Sequence, residues 1–373
     1  MGFSGNTDTS PMPVSGRAAD TAVARQHRSM PLDSIRTVAI LAVLIYHVAS
    51  RYPTADLDPV AYVFRRYGLL GVDVFFPLSG YLITSFLIRR SGTEDIKVFF
   101  ARRFFRIVPL YFAAVTIFLL IVWALDLKGE NTGLIWQTYL FLTGWFIFFE
   151  GTEAVPYTIT WSLSVEEFAY ILFGLAAWLM RRNFLAFLIV LSVGAMALRI
   201  YLNLNGYAAV YNFPPARLDS IAIGGIVAFM AHRGARGMMP VLAALSLATY
   251  LIALLMPELW SSLKYTFIAF ATCFVIVLFE THLRNARNLP LSWFSAIGFY
   301  SYFIYLFHMF NIEFLMVVSE RFYGDADPPF WAVVLAALAM THVQAVISFR
   351  YFEGPVMRFG RSLERNARHP NLA

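Results

Sequence analysis

The sequence predicts an all-α polytopic membrane helix bundle, and three observations predict it. Hydrophobic residues make up 59% of the 373 residues and charged residues only 14%, against about 25% charged in soluble domains. Apolar runs long enough to cross a bilayer, about 20 residues, recur along the chain, and its mean hydropathy is +0.63. Its basic residues gather on alternate connecting segments, as they do in the cytoplasmic loops of membrane proteins. The 36 Phe, 19 Tyr and 8 Trp suit helices that face lipid and end in interfacial aromatic belts. A single cysteine, Cys273, excludes an intrachain disulfide and a thiolate metal site.

Residues 1–30, rich in Ser, Pro, Gly and Ala, read as a flexible cytoplasmic tail without a secretory signal. Hydropathy then predicts ten spans, at about 32–50, 68–88, 107–125, 161–180, 184–202, 218–232, 238–256, 263–282, 292–318 and 329–351. The sixth is short. Residues 31–355 form one membrane domain on this reading, and 356–373 a basic cytoplasmic tail. An eleventh apolar run, Leu134–Phe149, is decided by charge. If it does not cross and the amino terminus is inside, 19 of the 29 basic residues fall on inner segments, and Arg36 and Arg350 at inner helix ends join them. Letting it cross would split that asymmetry, so it is expected to be a re-entrant or outer-surface helix buried by protein. Both termini are then cytoplasmic.

The first span, within Met30–Arg51 (MPLDSIRTVAILAVLIYHVASR), carries Arg36 near one end and His47 near the other. Eleven steps of about 100° return to within about 20° of the same face, so both lie on one stripe, roughly 16 Å apart along the axis. Ionisable side chains inside a membrane are costly and face a protein interior or a wet cavity. The plainer alternative has Arg36 snorkelling to headgroups and His47 as a satisfied polar residue.

The topology places further polar residues at the outer level of His47. These are Asp73, Glu166 and Glu167 in Thr160–Glu167 (TWSLSVEE), Arg217, Asp219, and His308 in Ser301–His308 (SYFIYLFH). Their convergence predicts a site opening outwards. Each has a structural alternative: Asp73 pairing with an arginine, Glu166 capping a helix, Arg217 and Asp219 pairing only with each other. On the inner side, Phe99–Pro109 (FFARRFFRIVP) sets Arg102, Arg103 and Arg106 on one face just before the third span. Arginine forks match phosphate geometry; an anchor to anionic lipid is the alternative. His232 and His282 fall near inner ends, and His342 reads as a polar helix contact. No His, Cys, Asp or Glu cluster has metal-ligand spacing, so no metal is expected. Ser79 lacks the preceding glycine of a nucleophile elbow.

A histidine able to take a hydroxyl proton, with a carboxylate to orient it, suggests acyl transfer to an alcohol. The basic inner face suggests an anionic donor such as acyl-coenzyme A. A transporter using the same polar stripe as a path is the rival class. No nucleic-acid partner is expected, and oligomeric state is left open.

Seven stretches carry a family resemblance: Leu32–His47 (LDSIRTVAILAVLIYH), Gly71–Thr84 (GVDVFFPLSGYLIT), Phe100–Tyr111 (FARRFFRIVPLY), Thr160–Glu167, Arg217–Gly224 (RLDSIAIG), Ser301–His308 and Arg350–Pro355 (RYFEGP). In this order, the chain resembles the acyltransferase-3 family of integral membrane O-acyltransferases. The resemblance implies an Arg-x10-His pair at Arg36 and His47, an Arg-x-x-Arg element at Arg103 and Arg106, and a Trp-Ser-Leu-x-x-Glu element at Trp161, Ser162 and Glu166. It implies catalysis by His47 with acyl-coenzyme A as the cytoplasmic donor. Together with the placement of charge and depth above, Arg36 and Glu166 are expected to act with His47, Arg102, Arg103 and Arg106 to hold the donor, and Asp73, Trp161, Arg217, Asp219 and His308 to contact the acceptor. Acyl-coenzyme A, chiefly acetyl-coenzyme A, would be a donor substrate and not a resident cofactor. The acceptor would be a sugar hydroxyl of a surface polysaccharide, lipid-linked glycan or exopolysaccharide, or a glycosylated natural product. The protein would be multi-pass in the bacterial cytoplasmic membrane. Thr37, Phe168–Ala169 and Glu353–Gly354 depart from the usual family residues, and no esterase-like domain is expected to follow.

Overall fold

The structure is a computed structural model and describes residues 30–53, 57–89, 93–125, 133, 135–235, 237–283, 292–324 and 328–368. The expected amino-terminal tail, apart from Met30, lies outside the described residues, as do 369–373 and loop residues such as Arg90, Lys128, Arg284 and Arg287.

Among the described residues the secondary structure is helical. In chain order come α1 (Met30–Ala49), α2 (Pro59–Tyr67), α3 (Gly71–Arg89), α4 (Thr93–Ala124), α5 (Ile135–Tyr139), α6 (Thr143–Glu150), α7 (Trp161–Leu179) and α8 (Phe184–Leu204). They are followed by α9 (Leu218–His232), α10 (Met238–Leu255), α11 (Trp260–Leu278), α12 (Ser292–Phe299), α13 (Ser301–Tyr323), α14 (Phe330–Ser348) and α15 (Gly354–Arg368). Nine helical stretches among these residues are long and apolar enough to cross a membrane, where ten were expected. The shortfall is α9, whose 15 residues rise only about 22 Å against a hydrocarbon core of about 30 Å. Its residues Leu218–Gly225 are buried. A short helix enclosed by protein need not reach either lipid face.

Three other expectations change. The third span is much longer than 107–125, because α4 starts at Thr93 and carries Pro109 inside it. Arg102, Arg103 and Arg106 therefore stand on the spanning helix itself and not before it. The expected span 292–318 is interrupted at Tyr300, which separates α12 from α13. Gly354–Arg368, the start of the expected basic tail, is helical and reaches back to α4, where Gly360 lies against the Phe105 ring.

The run 134–149 forms no continuous span. Phe141 takes a left-handed backbone, φ 59°, and leaves two short helices, α5 with 5 residues and α6 with 8. Polar contacts hold them to the bundle. The Tyr111 hydroxyl donates to the Thr138 carbonyl at 2.6 Å, the Thr143 and Thr160 hydroxyls meet at 2.8 Å, and the Gly144 N–H donates to Ser164 Oγ at 3.1 Å. Both fall short of a crossing, in keeping with the re-entrant or outer-surface reading.

Helix α1 runs through the interior, with Ile40, Val43, Leu44 and Val48 fully buried, and packs against α3, α12, α13 and α14. Helices α3 and α9 cross backbone to backbone. A Cβ at Gly80 would stand 1.9 Å from the Ile221 carbonyl oxygen, and one at Gly224 would stand 1.9 Å from that of Pro77. In lipid there is no hydrophobic gain from pairing two apolar helices, so close backbone approach at small residues carries the association.

Gly224→Ala should therefore destabilise the protein by about 1–3 kcal/mol, read as a lower thermal midpoint in detergent. Gly194→Ala, where a Cβ would meet nothing within 4 Å, should be neutral or stabilise by up to about 1 kcal/mol. For topology, cysteines replacing Arg66 and Arg182 in a Cys273→Ser background should label differently. A membrane-impermeant maleimide on intact cells should reach position 66 at once and position 182 only after permeabilisation. The reverse pattern would invert the orientation read from the charges.

Candidate active site

A cavity of about 480 Å³ opens between α1, α3, α4, α7 and α13. Arg36, Arg102, Arg103 and Arg106 line it, against the carboxylates of Asp33 and Glu166. Even with both acids ionised, positive charge is in surplus. A low-dielectric cleft of one sign concentrates ligands of the other.

Each wall follows from local sequence. On α4, Arg102 and Arg106 are one i,i+4 step apart and Arg103 and Arg106 one i,i+3 step, so all three can share one cavity. On α7, Glu166 and Tyr170 stand one turn apart, and the Tyr170 hydroxyl donates to Glu166 Oε2 at 2.6 Å. Ser79 Oγ donates to Glu166 Oε1 at 3.0 Å. The Arg103 guanidinium lies 4.4 Å from the Tyr170 ring centroid, with Nη1 3.4 Å from its hydroxyl. Arg36 Nη1 donates to Asp33 Oδ1 at 2.7 Å. Glu166 therefore belongs with the arginines, not beside His47 as its sequence depth suggested.

His47 does not line this cavity. Three neighbouring side chains, Ser162, Tyr305 and His308, lie between the two. Ser162 and Tyr305 line the cavity wall and their hydroxyls are 2.7 Å apart. The Tyr305 hydroxyl donates to the Ile159 carbonyl at 2.6 Å, so Ser162 supplies the proton between them. One turn along α13, the His308 ring centroid is 5.9 Å from that of Tyr305 and 5.1 Å from that of His47. His47 is half-buried and turns inward to α13, with Tyr46 edge-on at 5.0 Å. One turn further, Arg51 pairs with Glu313 of α13.

The remaining candidates form a separate, closed group. Asp73, Arg217 and Asp219 are fully buried. Arg217 pairs with Asp73, which also accepts from the Tyr211 hydroxyl at 3.3 Å. The Arg217 guanidinium lies 3.9 Å from the Tyr265 ring centroid. Asp219 pairs not with Arg217 but with Arg199, whose Nη2 reaches Asp219 Oδ2 at 2.7 Å. Arg199 also donates to Ala216 O at 2.7 Å, Thr266 Oγ1 at 2.7 Å and Ser262 O at 3.0 Å. Trp161 is buried between Phe76 and Tyr211. The structural alternative thus holds for Asp73, and the expectation that all the outer polar residues form one site is corrected. They divide into the Glu166 cavity, the His47–His308 pair and a core of ion pairs. The reason is desolvation: a buried charge without an opposite charge is so costly that these four groups form two ion pairs, with Arg217 Nε and Nη1 left without hydrogen-bond partners.

Sequence reading missed Asp33, Ser79, Tyr170, Tyr305 and Arg199. Tyr170 and Tyr305 were within reach, since each sits three or four residues from a chosen acid or histidine and so shares its helix face. Ser79 and Arg199 meet their partners only across helices.

The family model described as the acyltransferase domain matches residues 32–348. Among curated relatives, the chain is 27% identical over 377 aligned positions to a protein of Staphylococcus aureus (strain MSSA476) named "Putative O-acetyltransferase SAS0844", covering 90% of this chain and 58% of the relative. It is 25% identical over 362 positions to "O-acetyltransferase OatA" of Staphylococcus aureus (strain NCTC 8325 / PS 47), covering 88% of this chain and 57% of the relative. The chain therefore spans well under two thirds of the length of these relatives. No solved structure gives a significant match. The helical bundle with an arginine-lined cavity and the match over nearly its whole length lead to one assignment: the chain belongs to the acyltransferase-3 family of integral membrane acyltransferases.

Proposed function

We propose that this protein is an O-acyltransferase of the bacterial cytoplasmic membrane. It transfers an acyl group, chiefly acetyl, from acyl-coenzyme A to a sugar hydroxyl of a surface or lipid-linked glycan. The observation that supports this most is the arginine-lined cavity ending at Ser162 and Tyr305, one turn of α13 from His308, whose ring lies against that of His47 on α1. The relatives' names add the acetyl group and the oxygen acceptor.

In this reading the donor phosphates rest on Arg102, Arg103 and Arg106, whose forks suit phosphate oxygens. Arg36 and the Ser79–Glu166–Tyr170 cluster line the path of the thioester arm. His47 takes the proton of the acceptor hydroxyl while its oxygen attacks the thioester carbonyl. A C–O bond forms, the C–S bond breaks, and the proton passes from His47 to the leaving thiolate. General-base help of this kind is worth about 10²–10⁴ in rate.

Purified protein supplied with acetyl-coenzyme A and an envelope glycan fraction should release free coenzyme A and leave base-labile acetate on the glycan. His47→Ala should lower that rate by about 10²–10⁴ while the protein stays folded. Full activity of folded His47→Ala would sink the mechanism, and a transporter would move label without releasing the thiol. Arg103→Ala or Arg106→Ala should raise KM for acetyl-coenzyme A by about 10- to 100-fold, the loss of one charge-assisted contact of about 1.5–3 kcal/mol. Unchanged KM in both variants would remove the donor from this cavity.

A further inference from the structure

His308 sits in the interior with a feature that packing alone does not explain. It is fully buried, and its Nδ1 is 3.0 Å from the Ile304 carbonyl oxygen and 2.7 Å from that of Tyr305. Carbonyls only accept, so Nδ1 carries a hydrogen. In the neutral ring Nε2 is then left as a bare lone pair. That Nε2 is buried without a hydrogen-bond partner, which costs about 1–3 kcal/mol unless a donor reaches it.

The ring facing it is His47, with centroids 5.1 Å apart and planes tilted by 50°. Two imidazoles joined by a straight N–H···N bond of about 2.9 Å have centroids at most about 5.3 Å apart, taking roughly 1.2 Å from each nitrogen to its ring centre. The rings are near enough for such a bond to form once a rotation aligns Nε2 with the His47 N–H; without that rotation Nε2 has no partner. Catalytic hydrogen bonds are often poorly aligned before substrate binds.

We propose that His308 is the positioning residue for His47. Its Nε2 accepts the His47 ring N–H, and this leaves the other His47 nitrogen as the free base facing the acceptor hydroxyl. The backbone of α13 thus selects the His47 tautomer through two rings: carbonyls hold the His308 proton on Nδ1, and Nε2 holds the His47 proton on the nitrogen that faces it. When His47 takes the hydroxyl proton, the N–H···Nε2 bond strengthens as the imidazolium forms, and His308 itself neither gains nor loses a proton. The role is the one a buried carboxylate plays beside a catalytic histidine, filled here by a neutral ring. It rests on His47 acting as base, the reading proposed above.

His308→Leu keeps bulk without an acceptor, and His308→Gln keeps an acceptor oxygen. With acetyl-coenzyme A and the envelope glycan fraction, rates are taken per folded protein, thiol release being the readout. His308→Leu should lower kcat by about 10²-fold with KM for acetyl-coenzyme A unchanged, and His308→Gln should stay within about 10-fold of the unsubstituted protein. In a His47→Ala background His308→Leu should cost nothing more, because residues acting as a unit are not additive. Should His308→Leu not fold, His308→Met gives the same comparison. A packing role predicts the opposite order, with the apolar variant the better of the two, and that order, or an unchanged kcat in His308→Leu, overturns the assignment. Absence of any thiol release from the unsubstituted protein would instead overturn the proposed function.

Discussion

Desolvation of charge governs this bundle. Arg217, Asp73, Arg199 and Asp219 have no exposed surface, and taking either partner from such a pair costs about 3–5 kcal/mol. Arg199 satisfies the demand with Asp219, two carbonyls and a hydroxyl; Arg217 meets it in part, pairing with Asp73 and lying against the face of Tyr265 while Nε and Nη1 keep no hydrogen-bond partner. These contacts lock α9 to α3, α8 and α11. The same crossing holds Gly80 and Gly224, whose missing side chains let α3 and α9 come close enough for Arg217 to reach Asp73. Charge pairing and close packing are thus one constraint.

On the other side of α3 the charges do not balance. The cavity keeps an excess of guanidinium groups over carboxylates, and such an imbalance persists only where water or an anionic ligand offsets it. Glu166 links the two sides of that cavity, joining Ser79 on α3 to Tyr170 on α7. The contrast between matched ion pairs on one flank of α3 and a surplus of guanidinium groups on the other separates framework from candidate site.

Much of this could be read from the chain. Hydropathy and basic-residue placement located the spans, because bilayer thickness dictates their length and membrane insertion dictates their charge. Helical periodicity put Arg102, Arg103 and Arg106 together and gave Arg36 and His47 one stripe. Periodicity could not tell that the stripe serves two places, with Arg36 in the cavity and His47 against His308. Nor could it see that Asp219 would choose Arg199 over Arg217, since that choice is made between helices.

Composition and the repeat of a single helix are enough to read a helical membrane protein, its approximate spans, its family and the residue types available for chemistry, because each of these depends on residues close together in the chain. Which of those residues meet is set by how the helices pack. Partner choice inside a bundle depends on crossing geometry and on which charges are desolvated together, and the interruptions at Phe141 and Tyr300, the enclosure of α9 and the facing of two imidazoles all come from packing between segments distant in the chain.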